Sequence, residues 1–147
     1  MEIAEQIYHS LGAGDSLLAT SLFAGGDYWT ERFGPDYARF NRQACLRGAR
    51  IERVFILRNQ THFDQVHAIL KQQSEYSNVY VALLDKNPLL EREYRDAFVI
   101  NDEIAADFHF SQNILTSIDL ITDPIEIGEI TSLLRRIRDN RASRFTV

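Results

Sequence analysis

The chain has 147 residues, of which 45% are apolar and 25% charged, with a formal net charge of −5. These values fit one compact domain spanning residues 1–147 and exclude a disordered or collagen-like chain. The acidity also disfavours wholesale nucleic-acid binding, because a phosphate backbone repels a negative surface.

Ile3, Ile7 and Leu11 recur every four residues, which predicts a helix over Glu2 to Leu11, ended by Gly12 and Gly14. Ser16 to Leu22 is a short apolar run of the kind that forms a buried strand, broken by Gly25-Gly26. Pro35 suits a first helical position, so a second helix is expected over Asp36 to Arg47, with Gly48 as its cap. Tyr37, Phe40, Ala44 and Cys45 form its inner stripe, and Asn41 falls on the same stripe. Arg50 to Leu57 alternates and then turns apolar, a strand. Thr61 with Asp64 resembles a capping box for a helix through about Ser74.

Val79 to Leu84 is another buried-type strand, followed by a charged loop or short exposed helix from Asp85 to Arg95, in which Glu91 and Glu93 read as solvated. Asp96 to Asn101 and Ile104 to Phe110 form a hairpin around Asn101-Asp102-Glu103, and Leu115 to Ile121 adds a strand. Asp123-Pro124 caps a final helix with Ile127, Ile130, Leu133, Leu134 and Ile137 inward. Helices alternating with strands, then a late hairpin, predict an α/β domain: a layered mixed sheet flanked by helices.

No stretch reaches the roughly 20 apolar residues of a membrane span. The acidic opening Met1-Glu2-Ile3-Ala4-Glu5 has no apolar signal core, which implies a cytoplasmic protein without a membrane partner. Cys45 is the sole cysteine, so no internal disulfide or thiolate zinc site is expected. His62 and His67 lie five apart, on different helix faces, and make a poor metal pair. No metal or cofactor is expected; Gly12-Ala13-Gly14 lacks the third glycine of a dinucleotide fingerprint and precedes a strand. From Thr131 to Val147, five arginines against Asp139 give +4 and leave −9 for the rest. That segment is either a solvated helix end, where cations complement the helix dipole, or an anion-binding tail.

Two stretches carry a family resemblance. Asn41 to Ile51, containing Arg47-Gly48, followed by Val54-Phe55-Ile56-Leu57, resembles the helix-to-strand passage of the phospholipase D superfamily. Asp96 to Asn101, followed by Ser111-Gln112-Asn113, is similar to that superfamily's HxKxxxxD signature and its Ser-x-Asn element, here about two residues further along. The resemblance implies a single phospholipase D-like unit. In the family, histidine is the nucleophile, lysine neutralises phosphate oxygens and aspartate supports the histidine. In register, Tyr94, Asp96 and Asn101 stand at those three positions.

An acid in the lysine position would repel a phosphate, so the resemblance implies an abandoned active site. The implied role is a non-catalytic sensor or protein-interaction domain of the kind found in bacterial regulators. The candidate binding surface comprises Thr20, Ser21, Trp29, Asn41, Arg47, Asp96, Asn101 and Asn113. Thr20 and Ser21 end a strand, where ligands meet α/β sheets, and the aromatic, glycine-containing stretch after them carries Tyr28 and Trp29. The competing reading is a phosphodiesterase or nuclease working through His109 and Ser111. Single-copy members of the family commonly pair, which implies a homodimer with a small-molecule or protein partner. Nucleic acid is expected only through the arginine-rich C-terminal helix.

Overall fold

The computed structural model describes residues 2–22, 34–111 and 114–146. In chain order these form α1 (Glu2–Ser10), β1 (Ser16–Leu22), α2 (Gly34–Leu46), β2 (Arg50–Leu57), α3 (Gln60–Ser74) and β3 (Asn78–Leu83). There follow β4 (Ala97–Ile100), β5 (Ile104–Ser111), β6 (Ile114–Ile121), α4 (Pro124–Arg136) and the short β7 (Ser143–Arg144). The strands make one seven-stranded sheet in the order β6-β5-β4-β1-β2-β3-β7. β1, β2 and β3 are mutually parallel, and every other pairing is antiparallel. This is the mixed α/β sheet expected from helices alternating with strands before a late hairpin.

Strand alternation sorts the core into two layers. Leu17, Ala19, Ile51, Phe55, Val79, Phe98 and Ala106 pack against Tyr8 and Leu11 of α1, Tyr37 and Phe40 of α2, and Val66 and Leu70 of α3. Leu18, Val54, Ile56, Ala82, Val99 and Ala105 pack on the other face against Ile127, Ile130, Leu133 and Leu134 of α4 and against Ile137. Each fully buried aliphatic side chain of this kind contributes roughly 2 kcal/mol of transfer free energy.

Local signals account for most element ends. Asp123 caps α4, its Oδ2 accepting from the Glu126 amide at 3.1 Å with Pro124 in the first turn. Gly48 has φ +100°, and a Cβ there would meet Ala13 at 3.1 Å. The end of α2 thus presses against the turn after α1, an approach open only to glycine. The turn between β4 and β5 puts Asn101 (φ 52°) and Asp102 (φ 57°) in left-handed conformations that their short polar side chains tolerate.

Two expectations change. The cap of α3 is Asn59, whose Oδ1 accepts from the His62 amide at 2.9 Å, so the Thr61–Asp64 pattern lies inside the helix. Glu93 is not a solvated surface acid. It lies in a 3-10 turn, Glu91–Glu93, with 0% exposure, accepts from the Leu90 amide at 2.7 Å and stands 3.3 Å from Arg141 Nε and 3.6 Å from Arg136 Nε. Two cations anchored after β6 reach back to cover this carboxylate, a long-range pairing that local sequence does not reveal.

Removing one member of such a buried group leaves uncompensated charge and an unbonded amide. Glu93→Ala should therefore lower stability by about 3 kcal/mol, a fall in Tm on the order of 10 °C for a chain of this size. Chemical denaturation of the variant checks this. A loss below about 1 kcal/mol would place Glu93 among ordinary surface pairs.

Candidate functional site

The polar centre of the molecule grows out of β2. Arg53 shares strand parity with Ile51 and Phe55, so its side chain enters the layer under α1 and α2, where it is only 3% exposed. One guanidinium nitrogen donates to Ser21 Oγ at 3.0 Å, and the other donates to Tyr8 OH and to Asn41 Oδ1, both at 2.9 Å. The guanidinium lies 5.5 Å from the centre of the Tyr37 ring, a cation–π contact. Tyr8 and Tyr37 meet edge to face with hydroxyls 2.9 Å apart, and Asn41 Nδ2 donates to the Tyr37 carbonyl at 2.7 Å. Burial works against the Arg53 charge, but the phenols of Tyr8 and Tyr37 outweigh it and hold the guanidinium above its ordinary pKa.

Asp96 borders this cluster, one strand beyond β1. The β1–β4 ladder ends at Ala19 and Phe98, and side chains continue it past that point. Asp96 Oδ1 accepts from the Leu22 amide at 2.6 Å, while Thr20 Oγ1 donates to the Arg95 carbonyl at 2.6 Å and accepts from the Ala97 amide at 3.2 Å. Burial pushes the Asp96 carboxyl up to about 7, although the Leu22 amide and the Arg53 charge both pull it down.

The sequence-derived candidates therefore separate. Ser21 and Asn41 meet through Arg53, with Asp96 beside them and Thr20 on the opposite face of β1, stitching β1 to β4. Arg47 is elsewhere: its guanidinium donates to the carbonyls of Tyr8 and Leu11 at 2.6 and 2.9 Å and caps the end of α1. Asn101 sits at the far end of β4 from Asp96, accepting from the Ser16 amide at 2.8 Å and donating to Asp15 Oδ1 at 2.9 Å. A four-residue strand separates the two, about 15 Å along the sheet, so Asn101 does not converge with Asp96. Tyr94 lies at the surface with 41% exposure. Trp29 and Asn113 lie outside the described residues. His109 is exposed on β5, with Nε2 2.9 Å from Asp119 Oδ2 of β6, and Ser111 ends the same strand.

Arg53 itself escaped sequence reasoning, as did the roles of Tyr8 and Tyr37. The signal was present: with β2 assigned, a period of two places Arg53 between Ile51 and Phe55 on a buried face. Among the described residues, no three His, Cys, Asp or Glu side chains cluster as metal ligands, and no helix is long and apolar enough to cross a membrane.

Against known structures, this architecture aligns over 99% of the chain with Nuc from Salmonella typhimurium, a phospholipase D family member, at TM-score 0.67 and 11% identity, covering 90% of that protein. The fold is phospholipase D-like. It also aligns over 98% of its length with TrmBL2, described as an archaeal chromatin protein with a novel mode of DNA binding, at TM-score 0.61 and 9% identity. There the chain spans 49% of the longer protein. No family model and no curated protein matches the sequence.

The phospholipase D-like layout puts Asp96 at the sheet end where β1 and β4 part, and its proton should be visible in stability. The folded chain holds that proton up to about pH 7, whereas an unperturbed carboxyl releases it near 3.8. The folded state thus binds more protons between those values, so stability falls as pH rises from about 4 to about 7 and levels off above. Asp96→Asn keeps an acceptor for Leu22 and carries no charge. It should flatten that slope and exceed the parent at pH 8 by up to about 4 kcal/mol. Denaturation curves across this range check the outcome, and parallel pH profiles for parent and variant would refute the assignment.

Proposed function

We propose that this domain is a non-catalytic binding and regulatory module on a phospholipase D-like scaffold. The observation that carries the reading is Asp96. In the register that the family resemblance implies it stands at the signature lysine position, and it is partly buried and bonded to the Leu22 amide. Phosphoryl transfer needs preorganised positive charge where the phosphate oxygens sit. A carboxyl that titrates near neutrality offers either no charge or the wrong sign. Arg53, a cation beside Asp96, is sealed among Ser21, Tyr8, Asn41 and Tyr37. Ligands of open α/β sheets bind at the carboxyl ends of the parallel strands, and we place the ligand surface at that rim.

DNA fits this chain poorly. The arginines of the C-terminal segment are engaged internally: Arg135 with Asp102 at 3.1 Å, Arg136 and Arg141 with Glu93, Arg138 with Glu52 at 3.2 Å, and Arg144 with Asn78 at 2.6 Å. Phosphate contacts would have to break these pairs on an acidic domain. The one observation favouring an enzyme is the His109–Asp119 bond, which orients an exposed imidazole as a general base would be oriented. A single assay separates the readings. Purified protein should give no turnover of bis(p-nitrophenyl) phosphate or of DNA above a blank, and His109→Ala should change nothing. A turnover abolished by His109→Ala would establish the enzyme instead.

A further inference from the structure

On the face of the sheet away from Arg53, a small pocket opens between α4 and the amino ends of β1 and β2. It lies at the end of β4 opposite Asp96. Its volume is about 60 Å³, room for roughly four or five waters, which is the size of glycine. Leu18 gives it an apolar floor, and its walls carry four charges that sum to zero, Glu52 and Asp102 against Arg135 and Arg138. These are joined as Arg135–Asp102 at 3.1 Å and Arg138–Glu52 at 3.2 Å. The first pair is more than half exposed and therefore weak, whereas the second is largely buried. Thr131 lines the same pocket, four residues before Arg135 and so on the same face of α4. It is 7% exposed, and its hydroxyl has no hydrogen-bond partner among the described residues. A buried hydroxyl costs free energy for as long as nothing bonds it.

We propose that this pocket binds a small zwitterion, an α-amino acid of the size of glycine or alanine. The charge pattern selects the class. An anion that took Arg135 would sit beside the Glu52 carboxylate, and a cation that took Asp102 would sit beside Arg138. In a partly buried pocket either like-charge approach is costly. A ligand carrying both charges on one carbon turns its carboxylate to the guanidinium side and its ammonium to the acids, so each charge keeps an opposite neighbour. Arg135 is the cation freed most readily, because its bond to Asp102 is the exposed one. The Thr131 hydroxyl then gains the partner it lacks. None of these residues belongs to the Asp96 and Arg53 region, so the site stands apart from the rim where the regulatory ligand is placed.

Heteronuclear NMR of the full chain, titrated with glycine at constant ionic strength, tests this. The amides of Thr131 and Asp102 should shift saturably, with a Kd on the order of 1 mM for so small a ligand. Acetate and methylammonium, each with a single charge, should bind about tenfold more weakly or worse. Thr131→Val keeps the shape and removes the unbonded hydroxyl, so it should raise the Tm while weakening glycine about tenfold. Arg135→Gln removes a side chain held only by a surface pair, and it should leave the melt unchanged and weaken glycine similarly. Asp96→Asn should bind glycine as the parent does, which separates failure here from failure of the regulatory reading. The absence of a saturable shift with glycine overturns the proposal, as does acetate binding as tightly as glycine. Unchanged glycine binding by Thr131→Val or by Arg135→Gln overturns it too.

Discussion

A guanidinium presents five N–H donors, and burying it is costly unless acceptors surround it. Arg53 draws one group from each neighbouring element: a hydroxyl from β1, a phenol from α1, an amide oxygen from α2, and the face of Tyr37. One side chain on β2 therefore determines where two helices settle. Apolar packing alone would tolerate sliding of α1 and α2 over the sheet. Directional bonds in a low-dielectric layer do not, since any shift leaves a buried donor without its acceptor.

The other layer is organised by the opposite sign. Glu93, fully buried, takes the Leu90 amide and the guanidinium groups of Arg136 and Arg141, which ties the connection between β3 and β4 to the end of α4. The helix there widens into a π turn over Ile137–Arg141, and the chain then returns to the sheet, where β7 pairs with β3. Arg141 donates to Asn87 at 3.3 Å, and Arg144 stacks over Tyr80. What looks like a basic tail in sequence is thus a set of ties between the last helix and the β3 side of the sheet.

Local physics made much of this legible. β1 and β2 were readable to the residue as apolar runs, and Asp123-Pro124 marked the start of α4 without tertiary help. The cap of α3 was read two residues late because Asn59 and Thr61 both suit the role, and only the backbone decides between them. Glu93 was illegible because its partners lie more than 40 positions away in sequence. The candidate site was half legible. Ser21, Asn41 and Asp96 were marked as polar groups at a strand end or on an apolar stripe. The residue that joins Ser21 to Asn41 was hidden inside a strand whose alternation drew attention only to its apolar members.

Asp96 and Arg53 constrain each other across β1. Both project toward the layer under α1 and α2, Asp96 by its parity with Phe98 and Arg53 by its parity with Phe55. An ammonium at position 96 would face a like charge where dielectric screening is weak, and both cations would be driven toward neutrality or apart. The carboxylate removes that repulsion, and its own charge is held in balance between burial and the guanidinium, near neutral pH. A phosphate-binding centre requires the reverse arrangement: an ionised cation, open to ligand, with no competing acid. Position 96 cannot meet both requirements with one side chain. Within the proposed reading, the sealed Arg53 is therefore a reason why the lysine is absent, because a chain that braces its helices on a buried guanidinium has no tolerance for a second cation beside it.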